Sequence, residues 1–232
     1  MRLKCFATHL LALLLFTLNA ISADGSQLID NLNRGKPQTI VTYGTSLTEG
    51  GAWVGQLQNT LEMQYPDLVN FINSGKAGMW STWGVDNLDR LVIDKRPDTI
   101  FIEFAINDAH VANQVSLAQS RANLKNMIAR IRSANQYAEI ILMTMNPPVG
   151  ESLERRPHLQ EYYQMVRDVA KEMKLRLIDH DRHWQSLLEN DRELFDQYVP
   201  DGLHPGSTGC QQVITPEILK SLGVKQHQAT HP

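Results

Sequence analysis

A serine that could act as a nucleophile stands at residue 46, between a short apolar run and a segment with helical periodicity. Residues 44–50 read GTSLTEG. A glycine-flanked turn from strand to helix can expose a hydroxyl and point the first N–H groups of the helix at an oxyanion. The alternative is that Ser46 or Thr48 only caps the helix, because the turn lacks the G-x-S-x-G pattern.

Two residues near the C-terminus could complete a catalytic triad with Ser46. Asp201 and His204 lie three residues apart in a turn bounded by Gly202 and Pro205. A carboxylate at this spacing can orient an imidazole whose other nitrogen faces a serine. The alternative is an ordinary turn in which Asp201 is a turn residue and His204 lies on the surface.

Donors for an oxyanion are also present. Asn107 follows an apolar run and offers a side-chain amide, and Gly78 ends a segment, NSGKAG, in which a backbone N–H can approach a ligand closely. The alternatives are an Asx turn or helix cap at Asn107 and plain turn chemistry at Gly75 and Gly78. Together with the backbone N–H of Ser46, these groups predict an oxyanion hole.

The elements that must position these residues alternate along the chain. The predicted strands cover residues 39–43, 68–72, 99–104, 140–145 and 175–178, and the predicted helices cover residues 51–65, 83–93, 117–131 and 158–174. Such alternation predicts a three-layer α/β/α domain with a five-stranded, flavodoxin-like parallel sheet. Ligands bind beyond the carboxyl ends of such strands, where the candidate residues lie.

The composition is that of an ordinary globular protein. Of the 232 residues 42% are hydrophobic and 20% charged, which excludes a disordered or collagen-like chain. With 22 basic and 25 acidic side chains the formal net charge is −3, so we expect no nucleic-acid partner.

The N-terminus has the pattern of a targeting segment. Residues 1–23 combine Arg2 and Lys4 with an apolar run and small residues, which predicts a secretory signal peptide ahead of a single domain over residues 24–232. The run is too short and too interrupted for a stable membrane span, and an anchor that is never cleaved is the alternative. We therefore expect a secreted or periplasmic protein.

The four segments that carry these residues resemble the SGNH (GDSL-like) hydrolase family, whose blocks supply serine, glycine, asparagine and histidine in this chain order. Ser46, Gly78 and Asn107 match the first three blocks, and Asp201 with His204 matches the D-x-x-H of the last. The resemblance covers about residues 39–223 and implies the α/β fold named above.

Two positions depart from the family pattern. Thr45 replaces the usual aspartate of the first block, and Ala105 replaces the usual glycine of the third. The triad does not need the missing charge, so aspartate at position 45 should be tolerated if that position only supports the turn. The extra methyl group of Ala105 puts the local backbone geometry in question.

Other candidate residues have plainer interpretations. Asp179, His180, Asp181 and His183 resemble metal ligands, but we expect a solvated loop and no metal, since no zinc motif surrounds them. Trp80 and Trp83 could line an acyl or sugar groove, although core aromatics are more common. Met143, Met145 and Cys210 are expected in the core.

The function predicted from the sequence is hydrolysis of a carboxylic ester by Ser46, His204 and Asp201, with no cofactor. We expect short acyl groups, especially acetyl esters of carbohydrates, because the segments after the strands are largely polar. A thioesterase or lysophospholipase is one alternative, and a secreted carbohydrate-binding protein without turnover is another. The oligomeric state stays open.

Overall fold

Five parallel strands form the central sheet of the structure, a computed structural model in which residues 25–224 are described. The strands are β1 (Gln38–Gly44), β2 (Val69–Asn73), β3 (Thr99–Glu103), β4 (Glu139–Thr144) and β5 (Arg176–Asp179). They are hydrogen-bonded in the order β2-β1-β3-β4-β5, and each neighbouring pair is parallel. This is the flavodoxin-like order, so the predicted sheet is confirmed.

Helices cover both faces of this sheet. They are α1 (Gln27–Asn33), α2 (Ser46–Glu49), α3 (Ala52–Gln64), α4 (Ser81–Leu91), α5 (Ala105–Asp108), α6 (Leu117–Ala134), α7 (Glu151–Glu154), α8 (Leu159–Met173), α9 (His180–Asn190), α10 (Arg192–Tyr198), α11 (Ser207–Gly209) and α12 (Thr215–Leu222). Helices α4, α6 and α8 pack on one face, and α1, α3 and α12 pack on the other. A π-helical turn, Cys210–Ile214, joins α11 to α12.

The helices form where the sequence has an apolar stripe. In α3 and at its end, Trp53, Leu57, Leu61 and Tyr65 are all buried, as their spacing predicts. Burying a large apolar side chain contributes about 1.5–3 kcal/mol, so this stripe alone holds α3 firmly on the sheet. Helix ends differ from the predictions by up to three residues: α4 begins at Ser81 rather than 83, and α6 extends to Ala134 rather than 131.

The segment after β5 is not the solvated loop that we expected. It begins α9, and both His180 and Asp181 are buried there. Arg167 binds the carboxylates of Asp179 and Asp181 at 2.8 and 2.6 Å, and His180 Nδ1 lies 2.6 Å from the carboxylate of Glu217. The ion pairs with the partly buried Arg167 allow the carboxylate of Asp181 to be buried.

Some predictions concern residues outside the described part of the chain. The predicted signal peptide, residues 1–23, lies outside residues 25–224, as does most of the polar C-terminal tail. Among the helices within that range, none combines the length and apolar character needed to cross a bilayer.

The strand register places the candidate residues at one edge of the sheet. Gly44, the last residue of β1, pairs with Glu103, the last residue of β3. Ser46 and Asn107 follow these two residues closely, and the segment after β2 lies on the other side of β1. The carboxyl ends of three adjacent strands therefore supply the serine, the glycine and the asparagine.

Candidate active site

The turn after β1 leaves the hydroxyl of Ser46 free to act. Thr45 is the N-cap of α2, and its side-chain oxygen accepts the N–H of Leu47 at 3.2 Å. The capping role that we considered for Ser46 or Thr48 thus belongs to Thr45. Ser46 is the first residue of α2, where backbone N–H groups have no helical partner.

Ser46, His204 and Asp201 form one continuous hydrogen-bonded line. Ser46 Oγ lies 2.8 Å from His204 Nε2, and His204 Nδ1 lies 2.7 Å from Asp201 Oδ2. Since a carboxylate only accepts hydrogen bonds, Nδ1 carries the proton and Nε2 faces the serine as an acceptor. The imidazole is thereby held in the tautomer that can remove the serine proton.

Asp201 also shapes the turn that carries the histidine. Its Oδ1 accepts the N–H of Leu203 at 2.9 Å and the N–H of His204 at 2.7 Å. Burial acts to raise the pKa of Asp201, but these two bonds and the contact with the His204 ring outweigh it and lower that pKa. The carboxylate is therefore ionised wherever the histidine is able to act as a base.

The segment after β4 supports this turn from behind. Asn146 Nδ2 donates to the carbonyl of Leu203 at 3.0 Å, and the N–H of Val149 donates to the carbonyl of Gly202 at 2.8 Å. Gly202 has a φ of +74°, and a Cβ there would lie 3.0 Å from the Val149 carbonyl oxygen. A glycine is therefore required at the centre of the D-x-x-H turn.

The loop after β2 is packed directly against the serine turn. Glu49 accepts the N–H of Ala77 at 2.8 Å and pairs with Lys76 at 3.1 Å, and both contacts lower the pKa of Glu49. At Gly75 a Cβ would lie 2.4 Å from the backbone nitrogen of Glu49. Only a glycine allows this approach, which brings Ala77 to the pocket beside Ser46. Gly78, the next residue, has a φ of +75°.

Asn107 is held in place by two neighbours. Its Nδ2 donates to the carbonyl of Met79 at 2.9 Å, and its Oδ1 accepts a hydrogen bond from Arg156 Nη2 at 3.2 Å. Arg156 is buried and also donates to the carbonyls of Ile106 and Ser152. The arginine fixes which end of the amide is the donor, and one Nδ2 hydrogen is left for a ligand.

The next residue ties this segment to a different helix. The carboxylate of Asp108 is buried and accepts the N–H of Ser81 at 2.7 Å, at the first turn of α4, and the hydroxyl of Ser120. Burial raises the pKa of Asp108. Ala105 is buried within α5 and does not have a positive φ, so its methyl group causes no backbone strain.

An apolar pocket opens beside Ser46 and His204. It has a volume of about 320 Å³ and is lined mainly by Leu47, Trp53, Ala77, Met145, Pro205, Cys210 and Ile214. Trp80 and Trp83, which we considered as groove residues, are not among its lining residues. Trp83 packs on Tyr43 instead, with ring centroids 6.1 Å apart. Met145 and Cys210 are buried as predicted, and both line this pocket.

Sequence reasoning did not identify three polar residues that hold this site together: Glu103, Arg156 and Asn146. Glu103 is a charged residue in an otherwise apolar strand, TIFIE, and this anomaly is a signal that could have been noticed. Arg156 and Asn146 lie in loops without a motif, and only the folded chain brings them to Asn107 and Leu203.

The arrangement suits acyl transfer from an ester. A nucleophilic hydroxyl, a base and an orienting carboxylate lie in line, and Asn107 contacts the carbonyl of Met79, the residue after Gly78. The predicted oxyanion donors, the N–H groups of Ser46 and Gly78 and the amide of Asn107, belong to the segments after β1, β2 and β3. The chemistry needs only these groups and water.

Comparisons with known proteins agree with this geometry. Residues 41–212 match the GDSL-like Lipase/Acylhydrolase family. A Bos taurus protein described as an isoamyl acetate-hydrolyzing esterase 1 homolog is 25% identical over 203 residues, covering 76% of this chain and 78% of its own. The Mus musculus homolog is 24% identical over 196 residues, covering 73% of this chain and 76% of its own.

A solved structure shares the fold. The acetylxylan esterase of Geobacillus stearothermophilus superimposes with a TM-score of 0.71 at 20% identity, covering 82% of this chain and 96% of that one.

Proposed function

Because the chain belongs to the GDSL-like Lipase/Acylhydrolase family and is a carboxylic ester hydrolase, we propose that it is a secreted serine esterase that cleaves short acyl esters with Ser46, His204 and Asp201. The observation that carries the proposal is the line from Ser46 Oγ to His204 Nε2, 2.8 Å, and from His204 Nδ1 to Asp201, 2.7 Å.

In the first half-reaction Ser46 Oγ attacks the acyl carbon and His204 Nε2 takes its proton. The tetrahedral oxyanion is bound by the N–H groups of Ser46 and Gly78 and by the amide of Asn107. As the bond to the alcohol breaks, His204 gives its proton to the departing oxygen. Water then attacks the acyl-serine by the same route, which releases the acid and restores the hydroxyl.

The pocket supports a short apolar group on the ester. Its volume of about 320 Å³ lies at the small end of the range of about 300–1,000 Å³ for small-molecule sites. The curated relatives are named for an acetate ester, and the acetylxylan esterase for an acetylated polysaccharide. We therefore favour acetyl esters, with the acetylated carbohydrate as one source.

The test is a panel of p-nitrophenyl acetate, butyrate, octanoate and palmitate, with acetate release from acetylated xylan measured in parallel. We expect kcat/KM to be highest for acetate or butyrate and Ser46→Ala to be inactive on every ester. Ile214→Ala enlarges the pocket and should shift the preference toward longer chains. Ile218→Ala is the matched control, because Ile218 is buried in α12 without lining the pocket.

One observation favours a second candidate, a thioesterase or lysophospholipase. The segments after the strands are polar, but Leu47, Trp53, Met145 and Ile214 create an apolar surface that the segments alone did not reveal. Each buried methylene contributes about 0.8 kcal/mol, so a chain that fits this surface gains binding energy. A rise in kcat/KM from acetate to octanoate would select this candidate.

Secretion is proposed from residues 1–23 alone. N-terminal sequencing of the protein recovered outside the cytoplasm should show cleavage near Ser22 or Ala23. A retained N-terminus in the membrane fraction would indicate the uncleaved anchor instead.

A further inference from the structure

A buried carboxylate lies directly behind the serine turn, on the strand next to β1. The Glu103 side chain is enclosed at the end of β3, with a relative exposure of 4% for the residue. Its Oε1 accepts the N–H of Thr45 at 2.6 Å, the hydroxyl of Thr45 at 2.9 Å and the hydroxyl of Thr48 at 2.7 Å. One carboxylate thus binds both ends of the turn that contains Ser46.

The chain makes room for this carboxylate at the expense of a side chain. A Cβ on Gly44 would lie 2.3 Å from Glu103 Oε1 and 2.6 Å from the hydroxyl of Thr48. Contacts of that length do not occur, so Glu103 and Thr48 can take these positions only with a glycine at position 44. The hydrogen bonds from Thr45 and Thr48 to Glu103 are therefore part of the packed structure of the turn.

No cation neutralises Glu103 among the described residues; its partners are N–H and hydroxyl donors. Burial therefore outweighs these bonds and raises the pKa of Glu103 to about 7. Asp108 of α5 is the ionisable group whose charge acts on Glu103, and the charge of Glu103 in turn raises the pKa of Tyr163 of α8. The carboxylate is present despite this cost, and the hydrogen bonds that it accepts come from the turn that carries Ser46.

We propose that Glu103 is a positioning residue for Ser46, and that it carries in β3 the acid that position 45 lacks. The pair is complementary as it stands, because the Thr45 hydroxyl donates to the carboxylate. Aspartate at position 45 would instead place two carboxylates about 3 Å apart in a buried site, where both cannot be ionised. The proposal therefore departs from the expectation that Thr45→Asp is tolerated.

A second substitution, at Glu103, can compensate for an aspartate at position 45. In Thr45→Asp with Glu103→Gln, the amide oxygen still accepts the N–H of residue 45 and the Thr48 hydroxyl, and the amide nitrogen donates to the new aspartate. An aspartate at position 45 also remains a favourable N-cap for the N–H of Leu47. The double variant therefore restores every hydrogen bond with one charge in total.

The experiment measures kcat and KM for p-nitrophenyl acetate from pH 5 to 9, with melting temperatures, for wild type, T45D, E103Q and T45D/E103Q. We expect T45D to lose about 100-fold in kcat at pH 8 with a small change in KM, since displacement of a nucleophile by about 1 Å costs that much. T45D/E103Q should recover most of that loss. The loss in T45D should shrink at pH 5, where the two carboxyls share a proton.

Thr39→Asp is the matched control. It makes the same substitution on β1 at the opposite end of the strand, beside Asp98, whose carboxylate accepts the Thr39 N–H at 2.8 Å. We expect its kcat to equal that of wild type. If T45D does not fold, recovery of folding by E103Q is the readout in its place.

Full activity of T45D over the pH range, or a double variant no better than T45D in activity and melting temperature, would overturn the proposal. The inference rests on the proposed function, and the two fail differently. Absence of fluorophosphonate labelling of wild-type Ser46 would refute the esterase mechanism. The pairing of Thr45 with Glu103 would still be tested by the double-mutant cycle, in which melting temperatures of the four proteins are compared.

Discussion

Removal of the Asn107 amide tests the oxyanion site most directly. Asn107→Ala deletes the donor to the proposed oxyanion, and loss of one such donor costs about 10²–10³ in kcat, or about 2.7–4 kcal/mol. It also deletes the bonds to the Met79 carbonyl, 2.9 Å, and from Arg156, 3.2 Å. At about 1 kcal/mol for each hydrogen bond, the stability loss is about 2 kcal/mol.

The assay separates these two effects. Steady-state kinetics with p-nitrophenyl acetate should show the loss in kcat with KM nearly unchanged, and a thermal melt should show a fall of about 4–8 °C. Asn123→Ala is the control, because it also deletes a buried amide, which donates to Ser81 and Thr82 at 2.9 and 3.1 Å. The control should lose stability and keep kcat. A rise in KM alone for Asn107→Ala would refute the reasoning and make Asn107 a substrate-binding residue.

Three further predictions address the other groups. Ser46→Ala should abolish ester hydrolysis and fluorophosphonate labelling with an unchanged far-UV spectrum, and labelling that persists would exclude Ser46 as the nucleophile. Asp201→Asn should lower kcat by about 10⁴, and wild-type kcat/KM should rise with pH as His204 loses its proton; a flat profile from acid to neutral pH would contradict that role. Arg156→Met should lower kcat by about 10-fold by freeing the Asn107 amide to rotate, and a change confined to melting temperature would show that the arginine only supports its loop.

The sequence predicts the sheet well because its strands follow simple rules. Runs such as TIFIEF and IILMTM are apolar and bounded by turn residues, and they alternate with amphipathic helices, which leaves a parallel sheet as the simplest arrangement. The errors lie at element ends, in one loop and in short helices such as α1 and α10, which were not predicted. Residues 179–183 are polar in sequence, yet the ion pairs with Arg167 and Glu217 bury part of this segment, and those partners are distant in the chain.

The site is predicted in part for a related reason. Ser46, Asn107 and His204 lie next to strand ends or turns, so the fold class alone brings them toward one edge. The pocket is different, because Trp53 and Ile214 come from the covering helices and face Ser46 only after these pack. Such surfaces depend on packing between residues that are distant in the sequence, so local sequence patterns do not predict them.

The same interaction recurs around the site: a carboxylate accepts a hydrogen bond from a backbone N–H in or next to a segment that carries a site residue. It occurs at Glu103 with Thr45, Glu49 with Ala77, Asp108 with Ser81 and Asp201 with His204. An N–H bond to a carboxylate is strong and directional, and it fixes the backbone whatever the loop sequence. The two buried members, Glu103 and Asp108, have raised pKa values, and the two exposed members have lowered ones. The buried pair therefore stabilises the folded protein less as pH rises above the carboxyl pKa of the unfolded chain. The exposed pair stabilises it less as pH falls below that pKa. Both trends turn at the ordinary carboxyl pKa, so at neutral pH, where Asp201 is ionised, the exposed pair contributes in full while the buried pair has lost part of its contribution.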